Sequence, residues 1–207
     1  MPKYTKEERA MLLLSIITLF YLLAFAIYTF VKRNLEFSYY LMVFLALALS
    51  IIKYHKKLGL TLGITYGLSL WGFLGLMGGN LHINEIRLYD IYIFSDILRY
   101  DQFVHALGAF FATFIIYEIL RYKVKNINTS LFVIIIVLAT LGVGTLNEIM
   151  ELLAVIFLKA QATVGDYMNN ALDLLFNFIG ALIAAYIIFP RFKFHIKPAE
   201  KEGAARI

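Results

Sequence analysis

Two pairs of ionisable residues stand at helical spacing inside otherwise apolar stretches: Asp101 and His105 are four apart, Glu148 and Glu151 three apart. Side chains three or four apart share one face of a helix, so each pair presents its groups together. A third set, Asp166, Asn169 or Asn170, Asp173 and Asn177, recurs every three or four residues and draws a polar stripe along another helix, and Asn147 directly precedes Glu148. Carboxylates with one imidazole make a donor set for Mg, Mn, Fe or Zn, and equally an acid–base pair for proton transfer. The chain has no cysteine, which excludes disulfides, thiolate ligands and thiol nucleophiles. Candidate roles follow from residue type. Glu148, Glu151 and His105 are the catalytic candidates; Asp101, His105, Glu148, Glu151 and Asp173 are the metal-ligand candidates; Asn147, Asp166 and Asn177 are the candidates for holding substrate.

A charged side chain at bilayer depth costs a few kcal/mol or more unless it is paired, protonated or facing a polar cavity. None of the apolar stretches carries a Lys or Arg well inside it, so four or five carboxylates with one imidazole cannot all stay ionised there. A divalent metal, shared protons or a cationic organic ligand would each resolve the conflict. Blander readings exist for each part. A lone histidine near a helix end is often a satisfied interfacial group, and Asp173 with Asn177 would serve as polar glue between helices. The glutamate pair is harder to explain structurally, since a spanning helix gains nothing from two acids on one face. Glu118, three residues before Arg121, reads as an interfacial ion pair. Glycines 59, 63 and 67 read as a close-packing stripe on the third helix, and Gly142 with Gly144 would permit a local break or a close contact in the fifth.

The elements that must position these groups are apolar. Of 207 residues, 61% are hydrophobic and 16% aromatic, and the mean hydropathy is +0.78. That is more apolar surface than a soluble domain buries, so a lipid bilayer is the expected solvent. A spanning helix needs about 20 apolar residues, and six stretches qualify, near residues 10–31, 36–54, 58–78, 102–121, 131–158 and 167–189. They predict an all-α polytopic bundle of six transmembrane helices, forming one integral membrane domain over the whole chain. The first ends on Lys32-Arg33 without a small-residue cleavage site and reads as a permanent helix, not a signal peptide. The longest connection is the outer loop 79–100. Its stretch Ile86 to Phe94 alternates imperfectly and predicts a short strand or an amphipathic piece that serves as a lid over the bundle mouth.

Orientation follows from Lys and Arg. With the N-terminus inside, fourteen of the 19 basic residues are cytoplasmic and Lys32, Arg33, Arg87, Arg99 and Lys159 remain outside. Both termini are therefore expected in the cytoplasm, with the acids of three helices on the outer side of a cell (plasma or inner) membrane. The bias accounts for the net charge of +5. The basic run from Arg191 to Lys197 reads as an anchor on anionic lipid, and no nucleic-acid partner is expected.

The runs Tyr100-Asp101-x-x-x-His105, Asn147-Glu148-x-x-Glu151 and Asp166-(x)6-Asp173-x-x-x-Asn177-x-x-Gly180-Ala181, preceded by Gly78-Gly79, resemble the YjdF-like family of small inner-membrane proteins. That family is similar in turn to the VanZ-like proteins, which are associated with resistance to a glycopeptide antibiotic. The resemblance covers roughly residues 70–185. It implies a polytopic membrane fold with a shared outer polar site, and it carries no established reaction. The chain departs from the family pattern in Asn80-Leu81-His82-Ile83, where a Tyr-rich segment usually follows the two glycines, and at Asn169, where the family often has Asp. Two function classes stay open. One is an enzyme that activates water or a hydroxyl against a lipid or lipid-linked phosphate, which the lack of an arginine cluster inside the six segments weakens. The other is a proton- or cation-coupled carrier or an envelope ligand-binding protein.

Overall fold

A computed structural model describes residues 5–124 and 127–193. Lys3, Lys125, Lys197, Lys201 and Arg206, which the orientation reading uses, lie outside the described residues. Six long helices form, each started by local chemistry. Thr5 accepts from the Glu8 backbone N–H at 3.1 Å while Glu8 accepts from that of Thr5 at 3.0 Å. This capping box starts α1 (Lys6–Lys32) several residues ahead of its apolar stretch. Asn34 caps α2 (Leu35–Leu58), and Gly59, at φ 68°, terminates it in the left-handed conformation that suits glycine. Thr61 then caps α3 (Leu62–Asn80). The expected start of the third helix near residue 58 is corrected accordingly, and Gly59 leaves the glycine stripe because it ends one helix and does not lie on the next. Only Gly67 of the three seats a neighbouring ring, that of Phe111.

Beyond the outer loop come α4 (Tyr100–Leu120), α5 (Thr129–Leu158, capped by Asn128), the short α6 (Gln161–Val164) and α7 (Tyr167–Lys193). The long helices contain 19 to 30 residues, or about 28 to 45 Å at 1.5 Å per residue, against a hydrocarbon core of about 30 Å. All six are long and apolar enough to cross a membrane. α5 runs unbroken through Gly142 and Gly144, so of the two readings, break or close contact, it is close contact that holds: Gly144 seats the Asn177 side chain, while nothing crowds Gly142.

α4 is the hub of the bundle. It packs most extensively on α7 and also meets α3 and α5, while α1, α2 and α3 pack on one another. Large apolar side chains such as Phe20, Phe30, Phe157 and Tyr186 face outward, as lipid-facing surface does. Between helices, apolar clusters such as Leu22, Phe37 and Leu76 are joined by small polar contacts. Thr113 of α4 meets Thr140 of α5 at 3.0 Å, and Thr18 of α1 meets Ser69 of α3 at 2.6 Å. Such pairs hold helices together where hydrophobicity gives no preference for protein over lipid.

The outer loop is more finely divided than its sequence suggests. Ile86 to Phe94 is not one strand or one helix. Strand β1 (His82–Ile83) pairs with β2 (Ile86–Arg87), a helical turn spans Leu88–Asp90, and β3 (Tyr92–Phe94) pairs with β4 (Leu98–Arg99). Asn84 and Glu85 both take positive φ, the backbone of a tight two-residue hairpin turn. Between the hairpins Tyr89 plunges into the bundle. Its ring occupies the space that a side chain at Gly78 would fill, as the Phe37 ring does at Gly79. Burial pushes the Tyr89 phenol well above its ordinary pKa, and the Asp101 and Glu151 carboxylates add to the shift.

The topology itself is testable. A reporter fused after Lys159 is expected to read as external and one fused after Lys123 as cytoplasmic; reversed signals would invert the placement of everything at the loop end of the bundle.

A candidate site of four carboxylates around His105

α4 supplies Asp101 and His105 from its first two turns, α5 supplies Glu148 and Glu151 from its last third, and α7 supplies Asp173 from its second turn. Because these are the helix ends beside the loop, the antiparallel packing gathers them in one place. The His105 imidazole is the centre. Its Nε2 lies 3.7 Å from Asp101 Oδ1, 3.9 Å from Asp173 Oδ1 and 4.0 Å from Glu151 Oε1, and its Nδ1 lies 3.8 Å from Glu148 Oε1. These spacings are too long for hydrogen bonds. They lie somewhat beyond the roughly 3.0–3.5 Å that separates neighbouring donors on one ion with bonds of about 2.1 Å. The ligand atoms fall into two triads that share His105: Asp101, His105 and Asp173, and His105, Glu148 and Glu151, with each triad's atoms within 4.8 Å of one another.

Burial makes this geometry costly without a partner. The Asp173 side chain is 1% exposed. Its Oδ1 and both carboxylate oxygens of Glu148 are buried and make no hydrogen bond among the described residues. Buried polar atoms normally find partners; Glu148 Oε1 and Asp173 Oδ1 face the His105 imidazole instead, at 3.8 and 3.9 Å.

A second layer fixes the acids. Asn169 Nδ2 donates to Asp173 Oδ2 at 2.8 Å and reaches Asp101 Oδ2 at 3.4 Å, and its own Oδ1 accepts from Arg99 Nη1 at 2.7 Å. Asn147 donates to Glu151 Oε1 at 2.9 Å. Of the two asparagines that the stripe left open, Asn169 is the one that ties the acids together. An Asn serves where an Asp would add another negative charge, because its amide gives hydrogens to two carboxylates at once.

The centre opens into a cavity of about 140 Å³. Asp101, His105, Asn147, Glu151 and Asn177 line it, and it reaches Thr140 near the middle of α5. Asn177 is 4% exposed and its Nδ2 makes no hydrogen bond among the described residues. Asp166 is placed differently. It is exposed at the start of α7, accepts from the Asn169 backbone N–H at 3.0 Å, and is not among the cavity-lining residues. Its position is that of a helix cap, so Asp166→Ala is expected to lower stability by about 1 kcal/mol and leave ligand uptake unchanged, as read from unfolding midpoints beside a binding titration.

Residues 10–193 match the family model described as "Predicted membrane protein (DUF2238)". The chain belongs to this family. The YjdF-like resemblance of residues 70–185 is consistent with that membership. No curated protein and no solved structure matches the chain. In this DUF2238 member the family match takes in every residue of the His105 centre and the loop that covers it.

Sequence reasoning missed the cationic side of the site. Arg87 and Arg99 converge on Asp90, at 3.0 Å and 2.7 Å, and Arg87 lines the cavity. Both arginines sit in the loop and not in a spanning segment, so a search confined to the apolar stretches passes over them. Glu36 and Tyr40 of α2 also line the cavity. The nearest sequence signal for Glu36 was an acid in the first turn of a helix, which ordinarily means no more than favourable placement on the helix dipole. Glu118, by contrast, pairs with Arg121 at 2.7 Å as expected.

Proposed function

We propose that the His105 centre binds a divalent cation and carries out hydrolysis or transfer on a lipid or lipid-linked phosphate at the outer face of a plasma or inner membrane. The observation that carries this reading is the set of four carboxylates held 3.7 to 4.0 Å from one buried imidazole, with Asp173 Oδ1 buried and without a hydrogen-bond partner among the described residues. An oxygen-rich set with one imidazole suits Mg, Mn, Fe or Zn. A cation held there would supply Lewis acidity and lower the pKa of water bound to it. Asp101, Glu151 and Asp173 face Nε2 and fit the role of ligands with His105. Glu148, on the Nδ1 side and buried away from the cavity, fits a base that acts through the imidazole. Arg87 in the cavity wall offers the anion contact that a phosphate needs. Asn147 holds Glu151 in place, and Asn177 lines the cavity with an Nδ2 suited to a substrate oxygen. The VanZ-like likeness, resting on short motifs, adds nothing to this reading.

The alternative is a proton- or cation-coupled carrier or an envelope ligand-binding protein, and the depth of the cavity favours it. An unbroken α5 speaks against it, since carriers of small ions commonly use interrupted helices at the binding site. The deciding test is elemental analysis of the purified protein, wild type beside Glu148→Gln and His105→Ala. Stoichiometric metal that His105→Ala abolishes, with lipid phosphate turnover lost in Glu148→Gln, is the expected result. No metal after purification and dialysis against Mg and Mn would overturn the reading and leave the carrier.

A further inference from the structure

We propose that the second cavity of the bundle holds the hydrocarbon chain of a single-tailed lipid phosphate whose head sits at the His105 centre. The placement of the head rests on the function proposed above, whereas the chain site stands on its own observations. This cavity, of about 300 Å³, lies among α1 to α5 and is lined by residues such as Leu14, Leu22, Ile51, Leu68 and Ile115. It exists because α2 packs along α1 but meets α3, α4 and α5 over short stretches only. Its volume is about twice that of an engineered apolar cavity of ~150 Å³ that takes up benzene, which suits one chain and not a pair.

Most of its hydroxyls are already committed. Ser15, Ser50 and Thr65 turn their hydroxyls back to their own helices, at 2.8, 2.7 and 3.0 Å. Thr18 and Ser69 bond each other, and Tyr21 bonds the Ser69 carbonyl at 2.9 Å. A cleft offering water few partners is poorly hydrated, and left unfilled it forfeits dispersion contacts along its apolar lining. A hydrocarbon chain restores them, and the surrounding bilayer supplies one.

What ties this space to the polar centre is their common wall. Phe44, Trp71, Gly108, Ala112 and Val143 border both cavities. The Phe44 and Trp71 rings meet edge to face at 5.2 Å, and the Trp71 indole lies across Gly108, where any larger residue would displace it. The polar side has acids, His105 and Arg87; the apolar side has nothing that would bind an ion. An amphiphile with a phosphate at one end and one chain at the other matches this division, with the aromatic pair at the junction.

Trp71 is the single tryptophan of the chain, so its fluorescence reports on that junction. The full-length protein in nanodiscs is titrated with inorganic phosphate and with n-alkyl phosphates from butyl to hexadecyl, in wild type, Ala48→Phe and Ile115→Phe. Both substitutions add bulk to the apolar cavity and leave the polar one alone. Long chains partition into lipid equally for every variant, so the quantity read is the ratio of variant to wild-type affinity at each chain length. The expected result is unchanged affinity for butyl phosphate and a loss of about tenfold for hexadecyl phosphate in either folded variant. A ratio that does not vary with chain length overturns the proposal. Mn(II) binding, measured in the same samples, separates the two readings: a flat ratio with Mn(II) bound removes the chain site alone, and a chain-dependent ratio without Mn(II) supports the chain site and removes the metal centre.

Discussion

Asp173→Asn is expected to abolish stoichiometric metal binding, weakening Mn(II) affinity by about 100-fold or more, while Asn169→Ala weakens it by about 10–100-fold. The reason is the order in which the two side chains act. Asp173 aims one oxygen at His105 and has the other fixed by Asn169, so removing its charge removes a ligand. Asn169 touches no part of the imidazole and acts by holding Asp173 and Asp101 in place. Titration calorimetry or electron paramagnetic resonance of the purified variants reads both values. Stability in chelator supplies an independent sign. Four carboxylates crowded around one imidazole repel one another when no cation is bound, so Asp173→Asn is expected to raise the unfolding midpoint of the metal-free protein, as replacing buried charge often does. Unchanged Mn(II) affinity together with a lowered midpoint would mean that Asp173 serves packing and not a ligand.

Gly180→Leu is expected to cost about 3 kcal/mol or more and to prevent accumulation of folded protein, whereas Gly142→Leu is expected to be tolerated. A Cβ at Gly180 would overlap the backbone carbonyl of Ala106 on α4, and backbone cannot swing aside as a side chain does. α4 and α7 therefore have to separate. They are the most extensively packed pair in the bundle, and between them they carry His105, Asp101, Asn169 and Asp173, so the site is lost with the packing. Gly142 has nothing within 4 Å of the same added atom and faces open surface, where leucine meets lipid at no cost. Expression level and a thermal unfolding midpoint in detergent compare the two. Equal tolerance of both would mean that the close α4–α7 approach is not what holds the centre together.

The family resemblance gains physical content from these contacts. Gly180 permits the α4–α7 approach, Gly78 admits the Tyr89 ring and Gly79 admits that of Phe37. Glycine is needed at these positions for space between elements. The dipeptide Gly78-Gly79 thus positions the loop that brings Arg87 over the cavity, which links a motif with no chemistry of its own to the chemistry of the site.

Much of the architecture was determined by sequence alone. Six apolar stretches of spanning length became six helices because a backbone in hydrocarbon must satisfy its own hydrogen bonds, and only the ends moved, where capping by Thr5, Gly59 and Thr61 overrode hydropathy. Helical spacing put Asp101 with His105, and Glu148 with Glu151, since i,i+3 and i,i+4 pairs share a face in any α-helix. Three things were decided only by tertiary structure. Helical periodicity says which residues share a face but not which faces meet, so the convergence of Asp173 on His105 awaited the α4–α7 contact. The spacing rule put Asp166 among the substrate-holding candidates and left Asn169 open against Asn170, whereas the packed start of α7 makes the first a cap and the second a buried brace. Arg87 and Arg99 reach the site through two short hairpins that carry too few residues to show a strand period, so their place over the cavity depends on where Tyr89 anchors the loop.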